Sequence, residues 1–88
     1  MFKLFEMSTI YDQRYVKLIA DLREVRKVKK ITQEQLAAKL NKPQSYVAKI
    51  ERLERRLDVI ELVDWLGAIG VNLEHFLKSS GLIEERLG

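Results

Sequence analysis

TQEQLAAKLNKPQSYVAKIE, residues 32–51, reads as two short amphipathic helices joined by three residues, with the only proline of the chain in the break. Thr32 precedes Gln35 by three residues, a capping-box spacing, so a helix is expected from about Gln33 to Leu40 with Leu36, Ala37 and Leu40 on its inner face. Asn41 stands where a helix leaves through a left-handed residue, a conformation that glycine tolerates best and asparagine next. Pro43 falls at or just before the first turn of the following helix, where its missing N–H costs nothing. In that helix, starting near Gln44, Val47, Ile50 and part of Tyr46 face inward. Ser45, Ala48, Lys49 and Arg52 form a small or polar outward row. Helices joined this tightly cannot lie antiparallel side by side, so they cross at a wide angle as a helix-turn-helix unit.

Working outward, Asp12 is a plausible N-cap for a first helix. Tyr15, Leu18, Ile19, Leu22, Val25 and Arg26 then recur at three- and four-residue steps, ending near Lys29 or Lys30. Its inward stripe ends in an arginine. On the other side Asp58 reads as an N-cap, and Ile60, Leu62, Val63, Leu66 and Ile69 make the most apolar helix, which Gly70 closes. Asn72 caps a fifth helix carrying Leu73, Phe76 and Leu77, and Gly81 ends it or bends it toward the tail. No strand-like alternation or linker composition interrupts this order. The expected fold is all-α and compact, five helices with the helix-turn-helix at the second and third, divided into an N-terminal arm (1–10), a domain (11–80) and a C-terminal tail (81–88).

Eighty-eight residues, 47% of them hydrophobic, suffice for one modest core. The chain has no cysteine, which removes disulfides, thiolate metal ligands and thiol nucleophiles and fits a reducing cytosol. Lys3 and Glu6 interrupt the apolar N-terminus before it reaches signal-peptide length, and no run approaches a membrane span, so a cytoplasmic location is expected. The net charge of +3 is unevenly divided. Residues 23–56 carry eleven Lys or Arg against four acids, +7, whereas the rest of the chain carries five against nine, −4. A lysine-rich solvated surface is the plain reading of such a cluster. Its coincidence with the helix-turn-helix makes one face attractive to a polyanion.

Catalysis finds little support. His75 is the only histidine; Ser79 shares its helix face, but no third orienting group is evident, so His75 is expected at the surface or an interface. Asp58, Glu61 and Asp64, at steps of three, are a solvated stripe with one N-cap rather than a metal pocket. No glycine-rich phosphate loop occurs. No enzyme activity, cofactor or metal is expected.

The ordered elements LREVR, TQEQLAAKL, KPQSYVAKIE and the run of the fourth and fifth helices resemble the lambda-repressor-like, XRE or Cro-type helix-turn-helix regulators over about Tyr15 to Leu77. That resemblance implies sequence-specific binding of double-stranded DNA by a small transcriptional regulator, a repressor acting as a homodimer on a palindromic operator. Gln44, Ser45 and Lys49 match the recognition-helix positions that reach base edges. Gln33, Lys42, Tyr46, Arg52, Arg55 and Arg56 match phosphate-contacting positions, and Arg26 and Glu51 match a buried ion pair found in some relatives. Two departures stand out. Asn41 replaces the usual turn glycine, and Leu53 occupies the glycine of the family's Glu-x-Gly, which either extends the third helix or alters the loop that carries Arg55 and Arg56.

On this reading Gln44, with an amide donor and acceptor, pairs with adenine, Lys49 donates to guanine, and Ser45 discriminates poorly. Lys42, Arg52, Arg55, Arg56, Lys27, Lys29 and Lys30 supply sequence-independent affinity. One such domain offers a small interface, hence the expected dimer. Its candidate surface is Phe76, Leu82, Ile83 and Leu87 with Trp65; Trp65 and Phe76 have the alternative of being core. The arm, Met1 to Ile10, has two readings, ordered against a partner subunit or mobile. The rival function is a protein-binding module of the same fold, such as an antitoxin with a toxin partner. An antitoxin would keep the DNA-binding face, whereas a purely protein-binding module would show an apolar or acidic patch on the outward face of the third helix.

Overall fold

The structure is a computed structural model that describes residues 11–84. Five helices occur among them: α1 (Gln13–Val28), α2 (Gln33–Leu40), α3 (Gln44–Glu51), α4 (Val59–Ile69) and α5 (Leu73–Ser79). Four begin at a side chain that closes the first turn. Asp12 accepts from the Arg14 amide and Asn72 from the His75 amide. Thr32 with Gln35, and Asp58 with Glu61, form reciprocal capping boxes. Each satisfies N–H groups that the helix itself cannot. The exception is α3, which starts at Pro43 without a side-chain cap.

The helix exits share one device. Lys30, Asn41, Leu53, Gly70 and Gly81 all have positive φ, between 57° and 82°. After each of them the next amide donates back five residues: Ile31 to Arg26, Lys42 to Ala37, Glu54 to Lys49, Val71 to Leu66 and Leu82 to Leu77. This is the Schellman closure, which satisfies orphan carbonyls and turns the chain sharply. Asn41, Gly70 and Gly81 are the residue types this conformation favours. Lys30 and Leu53 are not, and a left-handed residue bearing a Cβ costs roughly 1–2 kcal/mol. Leu53 therefore neither extends α3 nor dissolves the loop; it adopts the conformation of the glycine it replaces, with its half-buried side chain packed against the core.

That core joins Leu18, Ile19 and Leu22 of α1 to Leu36 and Ala37 of α2, Val47 and Ile50 of α3, Leu57, four residues of α4, and Phe76. Trp65, with no exposed surface, is its largest member. Phe76 is 1% exposed, which removes it from the candidate dimer surface: α5 turns this ring into the core, and burying an aromatic side chain stabilises a small domain by about 2–3 kcal/mol. On α4 the buried side is Leu62, Trp65, Leu66 and Ile69, while Ile60 and Val63, which the sequence places in the same apolar helix, face solvent. Two cross-links hold α1 alongside α4. The Leu57 amide donates to the Tyr15 hydroxyl at 2.9 Å at one end, and Lys29 Nζ reaches the Gly70 carbonyl at 3.4 Å at the other.

Candidate nucleic-acid interface

Because α3 buries Val47 and Ile50, its helical period turns Gln44, Ser45 and Lys49 outward, and all three are exposed. Its orientation is held from behind by a buried ion pair. Arg26 Nε donates to Glu51 Oε2 at 2.7 Å and Nη2 to Oε1 at 3.0 Å, with side chains 8% and 3% exposed. The remaining guanidinium arm donates to the Ile31 carbonyl at 2.7 Å. Removing two charges from water is costly unless the geometry is good and further hydrogen bonds are made; here the pair is bidentate and each guanidinium nitrogen has an acceptor. The pair welds the last turn of α1 to the last turn of α3.

The connection continues to the surface. Gln33 Nε2 donates to Glu51 Oε1 at 2.9 Å, and Gln44 Nε2 donates to Gln33 Oε1 at 3.4 Å. Gln33 is half-buried, at the start of α2, and its amide couples the core pair to the first residue of α3. Gln44 commits one amide hydrogen inward, which leaves its second hydrogen and its carbonyl oxygen for an external donor-acceptor pair.

A second cluster surrounds Tyr46. The Lys42 ammonium lies 5.4 Å and the Arg55 guanidinium carbon 4.8 Å from its ring centroid, and Trp65 lies behind at 6.2 Å. Arg55 also grips Glu61 through Nη1 at 3.2 Å and Nη2 at 3.0 Å. Burial, then the hydrogen bond to Glu61, pushes the Tyr46 hydroxyl up to about 12. The Arg55 hydrogen bond and the Asp58 amide hold the Glu61 carboxyl down at about 2. Glu61 was read from the sequence as part of a solvated stripe, but it ties the loop before α4 to the ring beside α3. The Asp58-to-Glu61 capping-box spacing was the available signal for it. Nothing in the sequence pointed to the Tyr15–Leu57 bond.

The basic residues after α3 thus differ in their engagement. Arg55 is held by Glu61, Tyr46 and the Arg56 carbonyl. Arg52 makes only an open pair with Glu54, 2.9 Å apart with side chains 60% and 53% exposed. Arg56, Lys42 and Lys49 are exposed. His75 is exposed on α5, with its amide on Asn72. Among the described residues no group of three His, Cys, Asp or Glu could hold a metal ion, and no helix is long and apolar enough to cross a membrane. Leu82 and Ile83 are exposed after α5; Leu87 and the arm lie outside the described residues.

A family model described as Helix-turn-helix matches residues 22–76. Among solved structures, the chain is similar to the XRE-family like protein from Pseudomonas syringae pv. tomato str. DC3000, at 43% sequence identity and a TM-score of 0.78, over 88% of this chain and 94% of that one. No curated protein matches it.

Proposed function

The chain belongs to the XRE-type helix-turn-helix family of DNA-binding regulators, and from that premise we propose that it is a cytoplasmic, sequence-specific repressor that lays α3 in the DNA major groove as a homodimer. The observation that carries this reading is the outward row of Gln44, Ser45 and Lys49 on a helix anchored from behind through Gln33, Glu51 and Arg26. A helix fits the major groove, where each base pair presents its own donor and acceptor pattern. Gln44 reads adenine with its free hydrogen and carbonyl, and Lys49 donates to guanine O6 or N7. Ser45 adds a weakly selective contact. Arg52, Arg56 and Lys42 meet phosphates and supply affinity that falls with salt. Gln33 touches a phosphate with its second amide hydrogen, and Arg55 reaches the backbone from its seat on Tyr46 and Glu61. Leu82, Ile83 and Leu87 make the subunit contact that sets two half-sites about one helical turn apart.

The test is selection of sites from random double-stranded DNA, followed by titration of the winner across salt concentrations. The expected result is an enriched palindrome with half-sites about one turn, roughly 34 Å, apart and a steep salt dependence. No enrichment, with only weak binding independent of sequence, would overturn the reading and direct attention to a protein partner such as a toxin.

A further inference from the structure

Outside the face just described, one apolar surface on α4 has no covering in residues 11–84. Val59 is 66%, Ile60 65% and Val63 44% exposed. Steps of three and four put them on one side of the helix together with Gly67, where an added Cβ would meet nothing within 4 Å. A glycine inside a helix is unfavourable relative to alanine, and no neighbour in the described chain requires it. The face is both apolar and open to close approach.

We propose that this face is covered by the chain's own N-terminal arm, Met1 to Ile10. Two observations select that occupant. The first is position. The Tyr15–Leu57 hydrogen bond pins the start of α1 beside the residue that leads into α4, so the arm leaves the domain at the end where the exposed stripe begins. From Val59 to Gly67 the stripe runs eight residues along α4, about 12 Å at the helical rise. Ten residues reach up to about 33–36 Å when extended, so the tether spans the stripe with length to spare. The short connection gives the arm a local concentration near millimolar at α4. The second is size and composition. Three aliphatic side chains offer a few hundred Å², well short of the roughly 800 Å² per partner of a stable interface between proteins. A short segment matches this area, and the arm carries Phe2, Leu4, Phe5, Met7 and Ile10. Val63 and Gly67 border a groove that Lys42 and Tyr46 also line, while the exposed row of Gln44, Ser45 and Lys49 lines no part of it, and the assignment of the arm does not rest on the DNA reading.

The test is methyl NMR on the full chain without DNA. The expected result is nuclear Overhauser contacts from the Val59, Ile60 and Val63 methyls to the Phe2 and Phe5 rings, unchanged on dilution. In a mixed sample of labelled and unlabelled chains these contacts should be absent from the inter-chain spectrum. The full-length triple variant Phe2→Ser, Leu4→Ser, Phe5→Ser should shift those three residues' methyls while the Leu22 and Leu66 methyls in the core stay put. Missing arm contacts in the wild-type chain would overturn the proposal, as would methyls that ignore the triple variant. Contacts that appear only between chains would overturn it in favour of a second copy, and arm contacts that form only with DNA would reassign the arm to the nucleic acid.

Discussion

Glu51 and Glu54 stand three residues apart, and each holds an arginine through its carboxylate, yet the two pairs do different work. Arg26–Glu51 lies in the junction behind α3, 8% and 3% exposed, and the guanidinium nitrogen left over from the pair donates to the Ile31 carbonyl. Arg52–Glu54 lies in water, 60% and 53% exposed. Coulombic attraction between neighbouring charges is strong only where water is excluded, and the desolvation it must offset is large for the same reason. The buried pair therefore sets geometry, fixing the last turn of α3 against the last turn of α1. The open pair sets none, and it can exchange its carboxylate for a phosphate at little cost. Arg55–Glu61, 43% and 21% exposed, stands between them and serves both ends, bracing Tyr46 while keeping a cation beside α3.

This gradient can be broken at each level. The largest effect belongs to Glu51→Gln, which leaves Arg26 charged and buried without its partner; urea denaturation should show a loss of about 3–5 kcal/mol. The double change Arg26→Met, Glu51→Met should recover part of that. A double variant as unstable as the single would mean that the hydrogen bonds to Ile31 and Gln33, rather than the uncompensated charge, hold the junction. Next comes Gln44→Ala, at the exposed end of the same hydrogen-bond chain. It should lose roughly 1–3 kcal/mol of discrimination at one base position while the affinity for random DNA changes little. Equal losses on selected and random DNA would separate Gln44 from base reading.

At the intermediate pair, Glu61→Gln keeps an acceptor for the Asp58 amide but removes the charge, and should cost roughly 1–3 kcal/mol at neutral pH. Its signature is in acid. The folded Glu61 carboxyl titrates near 2 against an ordinary 4.5, so its contribution is complete above about 4.5 and is lost as pH falls toward 2. The wild-type protein should therefore lose stability faster than Glu61→Gln over that window, in thermal melts at stepped pH. Parallel curves would remove the Arg55–Glu61 pair from the account. The smallest effect on folding is Arg52→Ala, expected within about 0.5 kcal/mol. On DNA the same change should weaken all sequences alike and lower the salt slope by about 1.

The helix pattern was readable because it is written in local chemistry. Thr32 with Gln35, Asp58, Asn72, Asn41, Gly70 and Gly81 are residue types that act on the backbone within a few positions of themselves, and the structure uses all of them. The end of the first helix near Lys29 or Lys30 was readable, but the left-handed conformation of Lys30 and Leu53 was not, because neither residue prefers positive φ; the surrounding packing and the five-residue back-bonds impose it. Burial was readable by period but not by side. Ile60 and Val63 belong to an apolar helix, and Phe76 to an amphipathic one, yet which flank meets a neighbour depends on where the other helices lie. Arg26 and Glu51 came together through family resemblance, since periodicity alone placed an arginine on a buried stripe without naming what it meets. The bracing of Tyr46 by Arg55 and Glu61 came from neither.

By itself, then, the sequence determined the helix-turn-helix, its order among five helices, and the polar row that α3 turns outward. Local hydrogen bonding and a 3.6-residue period are properties of short stretches of chain. Only the tertiary structure decided that Leu53 stays left-handed, that Phe76 is core, and that Gln33 links a buried ion pair to Gln44. Each of these depends on where other helices place their side chains, and for Leu53, Phe76 and the Arg26–Glu51 pair it is the exclusion of water by that packing that makes a strained backbone or a buried charge worth keeping.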